Sequence, residues 1–569
     1  MFFFTFLLLS CLSSANNRCQ ALKVPNKKPL QTLSTLYASA KGTLKDFQIH
    51  VSNESGLLRK AQLIDEALPN STVSMAYFIY ENDYSSSYLT QKIIQKATNK
   101  NVHFQILVDY FMAENFLPLY HILDTHPNIQ VQRFRAPTPE FLSFLKNQLQ
   151  IAEPMELLRG MMLSDNEKIM QQISSSPLLQ QLLAQIPKMK TEEAQGESAP
   201  GTLMMSVLLQ KLQEQKTQEA VYLATQLEKH LVEFSRRLHH KLMLVQTSEG
   251  LKFITGGRNI SDEYHLSLGH EFLKERNYPF FDAEVSGTMQ SDKANQMQAS
   301  FSRLWRNPNL TTNVGTGTDT EIQTVTQEMN SKAGIFEATL SSIQIAAARG
   351  TIKGISSSIS YIENLPGTKQ KYKMISKAWV ELLDQAQTEV TIVSAYFHLF
   401  PALYEAIKKA SIRGVRITIY TNSFTSTDMN MVNVATYQEF AQWQKDLGPN
   451  VAIQELNRGP KEGSLHAKFI VIDKKIVGIG SANFDPRTNE LDTNNVVFMD
   501  LSYDPKMVKA FTEAYIGSKD HQQTQSDYGL GLAWTTLTQN YVNAIYKKIE
   551  ETKKRLTQAL KTSFIRRQL

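Results

Sequence analysis

The chain has 569 residues, enough for two or more domains, and its 42% apolar and 20% charged residues are the balance of a folded globular protein. A net charge of +6 and a pI near 8.9 suit a phosphate-bearing partner, without choosing between nucleic acid and anionic lipid. Only two cysteines are present, Cys11 and Cys19, which excludes a disulfide framework or a cysteine-rich metal site in the body of the protein.

The first feature along the chain is an apolar run, residues 2–12, too short to span a bilayer and followed by small residues. It reads as a signal-peptide core with cleavage after Ala15, although no Lys or Arg precedes Arg18. Leu8-Leu9-Ser10-Cys11 also loosely resembles a lipobox, which would make Cys11 a lipid anchor. Residues 1–20 are therefore expected to be a leader, and the protein to be exported or cell-envelope associated and peripheral at a membrane.

Beyond the leader the chain repeats itself. TVSMAYF (72–78) recurs as TIVSAYF (391–397), each a β-branched run with strand character. A helical face follows both, Leu89, Ile93 and Ala97 in the first copy and Leu403, Ala406, Ile407 and Ala410 after Pro401 in the second. Strands are then predicted at VHFQILVD (102–109) and VRITIYTN (415–422), and again at NIQVQRF (128–134) and NVAIQEL (450–456). A strand, a helix and two further strands in the same order twice indicate a duplicated α/β unit.

The repeat extends to the polar residues. LHHKLMLV (238–245) matches LHAKFIVI (465–472), and GGRN (256–259) matches GSAN (480–483). Each half thus supplies a histidine, a lysine and an asparagine: His239, Lys241 and Asn259, then His466, Lys468 and Asn483. The second copy also holds Asp473, Gly480 and Ser481 in fixed spacing; the first holds Gly257 but has Gln246 where the aspartate falls, and three more residues before Gly256.

These residues resemble the phospholipase D superfamily, marked by two copies of H-x-K-(x)4-D-(x)6-G-S-x-N. GGRNISDEY, FFDAEV, TNSFTSTD and NFDPRT are most similar to its bacterial cardiolipin synthase branch lacking N-terminal transmembrane helices. The resemblance runs from about Thr72 to Trp534, interrupted by one insertion. It implies an α/β fold of two phospholipase D-like repeats forming a pseudo-dimer around one shared active site. The expected organisation is a first repeat over 21–310, a linker region over 311–375, a second repeat over 376–535 and an amphipathic C-terminal helix over 536–569. The first repeat carries a helical insertion, 137–237, rich in methionine (Met161, Met162, Met204, Met205), which reads either as a small helical subdomain or as an apolar groove for acyl chains. The C-terminal stripe Val542, Ile545, Ile549, Leu556 and Leu560 reads as a helix docked on its own domain, or as one lying on an anionic membrane.

The chemistry implied is metal-independent exchange at a phosphodiester through a phosphohistidine. The resemblance makes His239 the nucleophile and His466 the acid/base; His240 is passed over because Lys241 must lie two residues beyond the histidine. Lys241, Lys468, Asn259 and Asn483 would hold the phosphate oxygens, with Gly257, Gly480 and Ser481 counted as substrate-binding. The downstream glutamate that orients a histidine in the family falls on Asn494, and in the first half Asp282 or Glu284 is available for that role. No cluster has metal-ligand spacing and no cofactor is expected. A phospholipid substrate at a membrane surface is the leading reading, as a phosphatidyltransferase or a hydrolase. A nuclease acting on nucleic acid is one alternative. The other is a catalytically weakened phosphate- or lipid-binding relative, suggested by Gln246 and Asn494.

Overall fold

The protein is described by a computed structural model covering residues 40–163, 217–273, 278–290, 294–365, 373–459, 462–517 and 530–550, with a few residues between 169 and 215. The expected leader lies outside the described residues, as do Met204 and Met205. No described helix is long and apolar enough to cross a membrane.

The fold is mixed α/β, a large sheet flanked by helices. In chain order the strands are β1 (Ala40–His50), β2 (Thr72–Tyr77), β3 (His103–Asp109), β4 (Ile129–Phe134), β5 (Lys241–Thr247), β6 (Gly250–Gly256), β7 (Phe280–Phe281), β8 (Glu284–Gln290) and β9 (Thr311–Asn313). They continue as β10 (Thr351–Asn364), β11 (Glu389–Val393), β12 (Arg416–Asn422), β13 (Val451–Leu456), β14 (Ser464–Leu465), β15 (Phe469–Ile472), β16 (Ile476–Gly480), β17 (Asn494–Asp500) and β18 (Trp534–Thr536). From one edge to the centre the large sheet runs β9-β4-β3-β2-β5-β6-β8-β1, and from the other edge β18-β13-β12-β11-β15-β16-β17-β10. Strand for strand the two series correspond, and they meet where β1 lies antiparallel to β10 from Ala40↔Tyr361 to His50↔Thr351.

Local sequence explains the elements nearest the site. β2 and β11 are short β-branched runs, each parallel to the next strand and antiparallel to a motif strand, β5 or β15. The helix Tyr84–Lys100 starts at an Asp83–Ser86 capping box and buries Leu89, Ile93 and Ala97. Its counterpart Pro401–Ile412 opens with proline at its first turn and buries Leu403, Ala406, Ile407 and Ala410.

Residues 311–375, expected as a linker, are mostly structured. β9 caps an edge, the helices Asp319–Glu337 and Leu340–Arg349 pack on the first half, and β10 is a central strand. In the 137–237 region the helices Pro139–Asn147, Pro154–Leu163 and Gln218–Phe234 are described. Phe141, Phe144, Leu157, Leu227 and Leu231 bury together with Met431, Val432 and Val434 of the helix Asn430–Leu447. At the C-terminus Val542 is buried and Ile545 packs beside it on the second-half core; Leu556 and Leu560 lie outside the described residues.

Candidate active site

The motif hairpins carry the histidines to the middle of the sheet. Lys241 stands opposite Gly256 at the base of β5–β6, and Lys468 opposite Gly480 at the base of β15–β16, so each lysine sits at the same register. The three additional residues of the first copy do not enlarge its turn. The β5–β6 hairpin instead has six paired positions from Leu242↔Thr255 to Thr247↔Gly250, against four in β15–β16.

Each histidine is oriented by a residue from the other half. His239 Nδ1 lies 2.7 Å from Asn494 Oδ1 at the start of β17. His466 Nδ1 lies 2.5 Å from Asp282 Oδ2, between β7 and β8. Backbone contacts hold the same crossing: His239 N donates to Thr493 O at 3.0 Å, and His466 N to Phe281 O at 2.8 Å. Of the two carboxylates the sequence left open, Asp282 contacts the histidine. Glu284 is committed to Lys60 at 2.6 Å and to the buried Arg258 guanidinium at 3.3 Å.

Two further residues hold the site, Arg258 and Asn422, and motif spacing alone does not single them out. Arg258 donates to the carbonyls of His50, Val51 and Asp282, fixing the strand end that presents the Asp282 carboxylate. Asn422 accepts from Leu465 N at 2.9 Å and donates to Leu465 O at 2.8 Å, holding the residue before His466. The signal that could have found them is their position, since both fall inside stretches that carry the resemblance, GGRN and TNSFTSTD.

Both imidazoles and both ammonium groups are buried. Burial, then the neighbouring Lys241 and Lys468 charges, hold His239 well below the usual histidine range, and the same causes act on His466. Burial lowers Lys468 to about 7 and pushes Lys241 well down, Lys468 adding to the latter. Burial also raises Asp282 to about 6, opposed by Lys468 and Arg258. Four potential cations buried together, with Asp282 as the carboxylate beside them, are held toward their neutral forms; a phosphate anion among them would favour their protonated forms. Asn259 Oδ1 accepts from Ile79 N at 3.1 Å, while the buried Asn483 Oδ1 has no hydrogen-bond partner among the described residues.

Several expected site residues stand elsewhere. Asp473 lies beyond β15, five residues past Lys468, where its carboxylate accepts from the N–H groups of Gln387, Thr388 and Glu389. It anchors the entry to β11 instead of facing the histidines. Gln246 takes the matching place beyond the base of β5, exposed, and its carbonyl accepts from Leu68 N at 3.2 Å. Ser481 Oγ donates toward Asn494 Oδ1 at 3.0 Å, so it supports the residue that orients His239. Gly257 and Gly480 are close-approach positions. A Cβ on Gly257 would lie 2.2 Å from Asp282 Oδ1, and one on Gly480 would lie 2.1 Å from Asn495 O.

The second motif copy falls inside a match to a known family. A family profile described as "Cardiolipin synthase, PLD-like domain" matches residues 379–515. An uncharacterized protein of Helicobacter pylori (strain ATCC 700392 / 26695) is 26% identical over 313 residues, covering 51% of this chain and 58% of that one. Cardiolipin synthase C of Escherichia coli K12 is 25% identical over 304 residues, covering 46% and 59%. Cardiolipin synthase of Listeria welshimeri is 26% identical over 170 residues, covering 30% and 33%. The chain thus spans under three-fifths of the length of these curated relatives. Among solved structures, phosphatidylserine synthase of Haemophilus influenzae Rd KW20 superposes over 95% of this chain and 99% of its own, with 12% identity and a TM-score of 0.49.

Proposed function

We propose that this chain, a member of the phospholipase D superfamily, transfers phosphatidyl groups between alcohols or to water, through a covalent phosphohistidine and without a metal. Its two repeats would form a pseudo-dimer with one shared active site. The observation that carries the reading is the pair of crossed contacts, His239 with Asn494 and His466 with Asp282, above two buried lysines.

The two contacts suit different roles. An amide oxygen is neutral and only accepts, so Asn494 holds the His239 proton on Nδ1 and leaves the Nε2 lone pair free. That nitrogen attacks phosphorus, forming a P–N bond as the P–O bond to the leaving alcohol breaks. A carboxylate stabilises an imidazolium, so Asp282 favours the protonated His466, whose Nε2–H goes to the departing oxygen. In the second half-reaction His466 takes the proton of the incoming alcohol or water, whose oxygen displaces the His239 nitrogen. Lys241 and Lys468 receive the non-bridging oxygens, and the arriving phosphodiester anion supplies the charge that re-protonates the lysines and His466.

A phospholipid substrate is favoured by the cardiolipin synthases among the relatives, and phosphatidylglycerol is the first substrate to try. Purified full-length protein is incubated with phosphatidylglycerol vesicles and a chelator, and products are resolved by mass spectrometry. Cardiolipin with free glycerol, or phosphatidic acid with glycerol, supports the reading and names the acceptor. Turnover that requires an added metal, or cleavage of oligonucleotides but of no phospholipid, contradicts it.

A further inference from the structure

We propose that His240, which the reaction does not use, is a positioning residue that locks the His239–Asn494 pair through Thr493. The proposal rests on His239 being the nucleophile.

The two histidines stand side by side just before β5 and have different partners. His239 reaches Asn494, while His240 Nδ1 lies 2.8 Å from Thr493 Oγ1. Two consecutive residues of the first half therefore clasp two consecutive residues of the second. The Thr493 hydroxyl serves both sides of the clasp, since His239 N also lies 3.2 Å from Thr493 Oγ1.

Donor and acceptor accounting fixes the direction of each contact. A backbone N–H can only donate, so Thr493 Oγ1 accepts from His239 N. The structure gives the Thr493 hydroxyl proton one acceptor among the described residues, His240 Nδ1. With Nδ1 accepting, the ring proton of His240 sits on Nε2; Glu363 Oε2 stands 3.7 Å from that nitrogen, outside hydrogen-bond distance. Glu363 is fixed in turn: Arg303 reaches its other oxygen at 3.0 Å, and the Tyr361 hydroxyl lies 3.4 Å from Oε2. Glu363, His240 and Thr493 are all buried, on β10, before β5 and before β17 respectively.

The clasp occurs on one side of the site only. The residue after His466 is Ala467, which has no polar side chain to repeat the contact. His466 bonds to a carboxylate, a strong charge-assisted contact, whereas His239 bonds to a neutral amide, which restrains it less. The additional imidazole stands where the weaker acceptor needs outside positioning.

Three substitutions test this. In His240→Asn the amide oxygen stands near the place of Nδ1 and can accept the Thr493 hydroxyl. His240→Gln is equally polar but extends past it toward Glu363, and His240→Ala removes the Thr493 contact. Measured on phosphatidylglycerol vesicles with melting temperatures alongside, His240→Ala and His240→Gln should lower kcat roughly 10- to 100-fold, the scale for losing a contact that orients a catalytic group. KM should stay within about twofold, and His240→Asn should recover kcat to within about threefold, as expected for an effect on the reacting geometry alone. Equal activity of the Asn and Gln variants, or losses that track the melting temperature, would overturn the proposal. A second measurement does not depend on turnover. In protein labelled with ¹⁵N-histidine, the signal lost in His240→Asn should be that of an Nε2–H tautomer, and an Nδ1–H tautomer there would overturn the clasp. Absence of wild-type turnover would sink the phosphatidyl-transfer reading alone, leaving the tautomer to decide the clasp.

Discussion

At the scale of single residues, the site is uneven in charge: His239 has an amide acceptor at 2.7 Å and His466 a carboxylate at 2.5 Å. In the proposed reaction, attack through Nε2 would leave His239 with a positive ring, which Asn494 would stabilise less than a carboxylate. Asn494→Asp should therefore lengthen the life of the phosphohistidine roughly fivefold, from about 1 kcal/mol between a neutral and a charged hydrogen bond; the adduct fraction in quenched steady-state samples measures it, and an unchanged fraction would refute it. Asp282→Asn should lower kcat by about 100-fold or more, because the His466 imidazolium loses its carboxylate. Burial sets Lys468 at about 7 in the free protein, so it is charged below that pH and neutral above it. The kcat/KM for an anionic phosphodiester should fall as pH rises through about 7, and Lys468→Arg, charged throughout, should abolish that limb. The histidines, lysines and asparagines were legible because their spacing repeats. Their acceptors were less so: Asn494 and Asp282 come from the opposite half, and nothing local distinguishes Asp282 from Glu284, which the structure assigns to Lys60 and Arg258.

At the scale of elements, the motif aspartate is part of the scaffold. Asp473, in left-handed backbone, accepts from three successive N–H groups at the entry to β11. Asp473→Ala should cost about 1–2 kcal/mol of stability, the range for a lost capping-type acceptor, and leave kcat near wild type once folded; a collapse of kcat without loss of stability would return Asp473 to the chemistry. Gln246, at the matching sequence position, lies within β5 opposite Leu251 and is exposed, whereas both histidines are buried. Gly257→Ala should depress kcat strongly, since the new methyl falls 2.2 Å from an Asp282 oxygen. β2, β3, β4 and their second-half counterparts could be read as β-branched runs. β10 could not, because Ser356, Ser357 and Ser358 interrupt its apolar signal, and its identity as a strand depends on β1 and β17 on either side.

At the scale of the whole molecule, each candidate histidine has its side-chain partner in the other half. His239 contacts Asn494 from the far side of β10, His466 contacts Asp282 from the near side, and Tyr515 of the second half also donates to Asp282 O at 2.7 Å. A chain reduced to residues 374–550 should therefore show no phosphodiester turnover even where circular dichroism finds it folded, because His466 has lost its carboxylate. The duplication was legible at this scale and the crossing was not, since it depends on how the central strands bring the halves together. The most direct test of the account is intact mass after mixing with phosphatidylglycerol and quenching at high pH, where phosphohistidine survives, for wild type, His239→Ala and His466→Ala. A phosphatidyl adduct seen in wild type, absent from His239→Ala and accumulating in His466→Ala, is the predicted result. An adduct that persists in His239→Ala, or none in any of the three while product still forms, would contradict a covalent intermediate on His239.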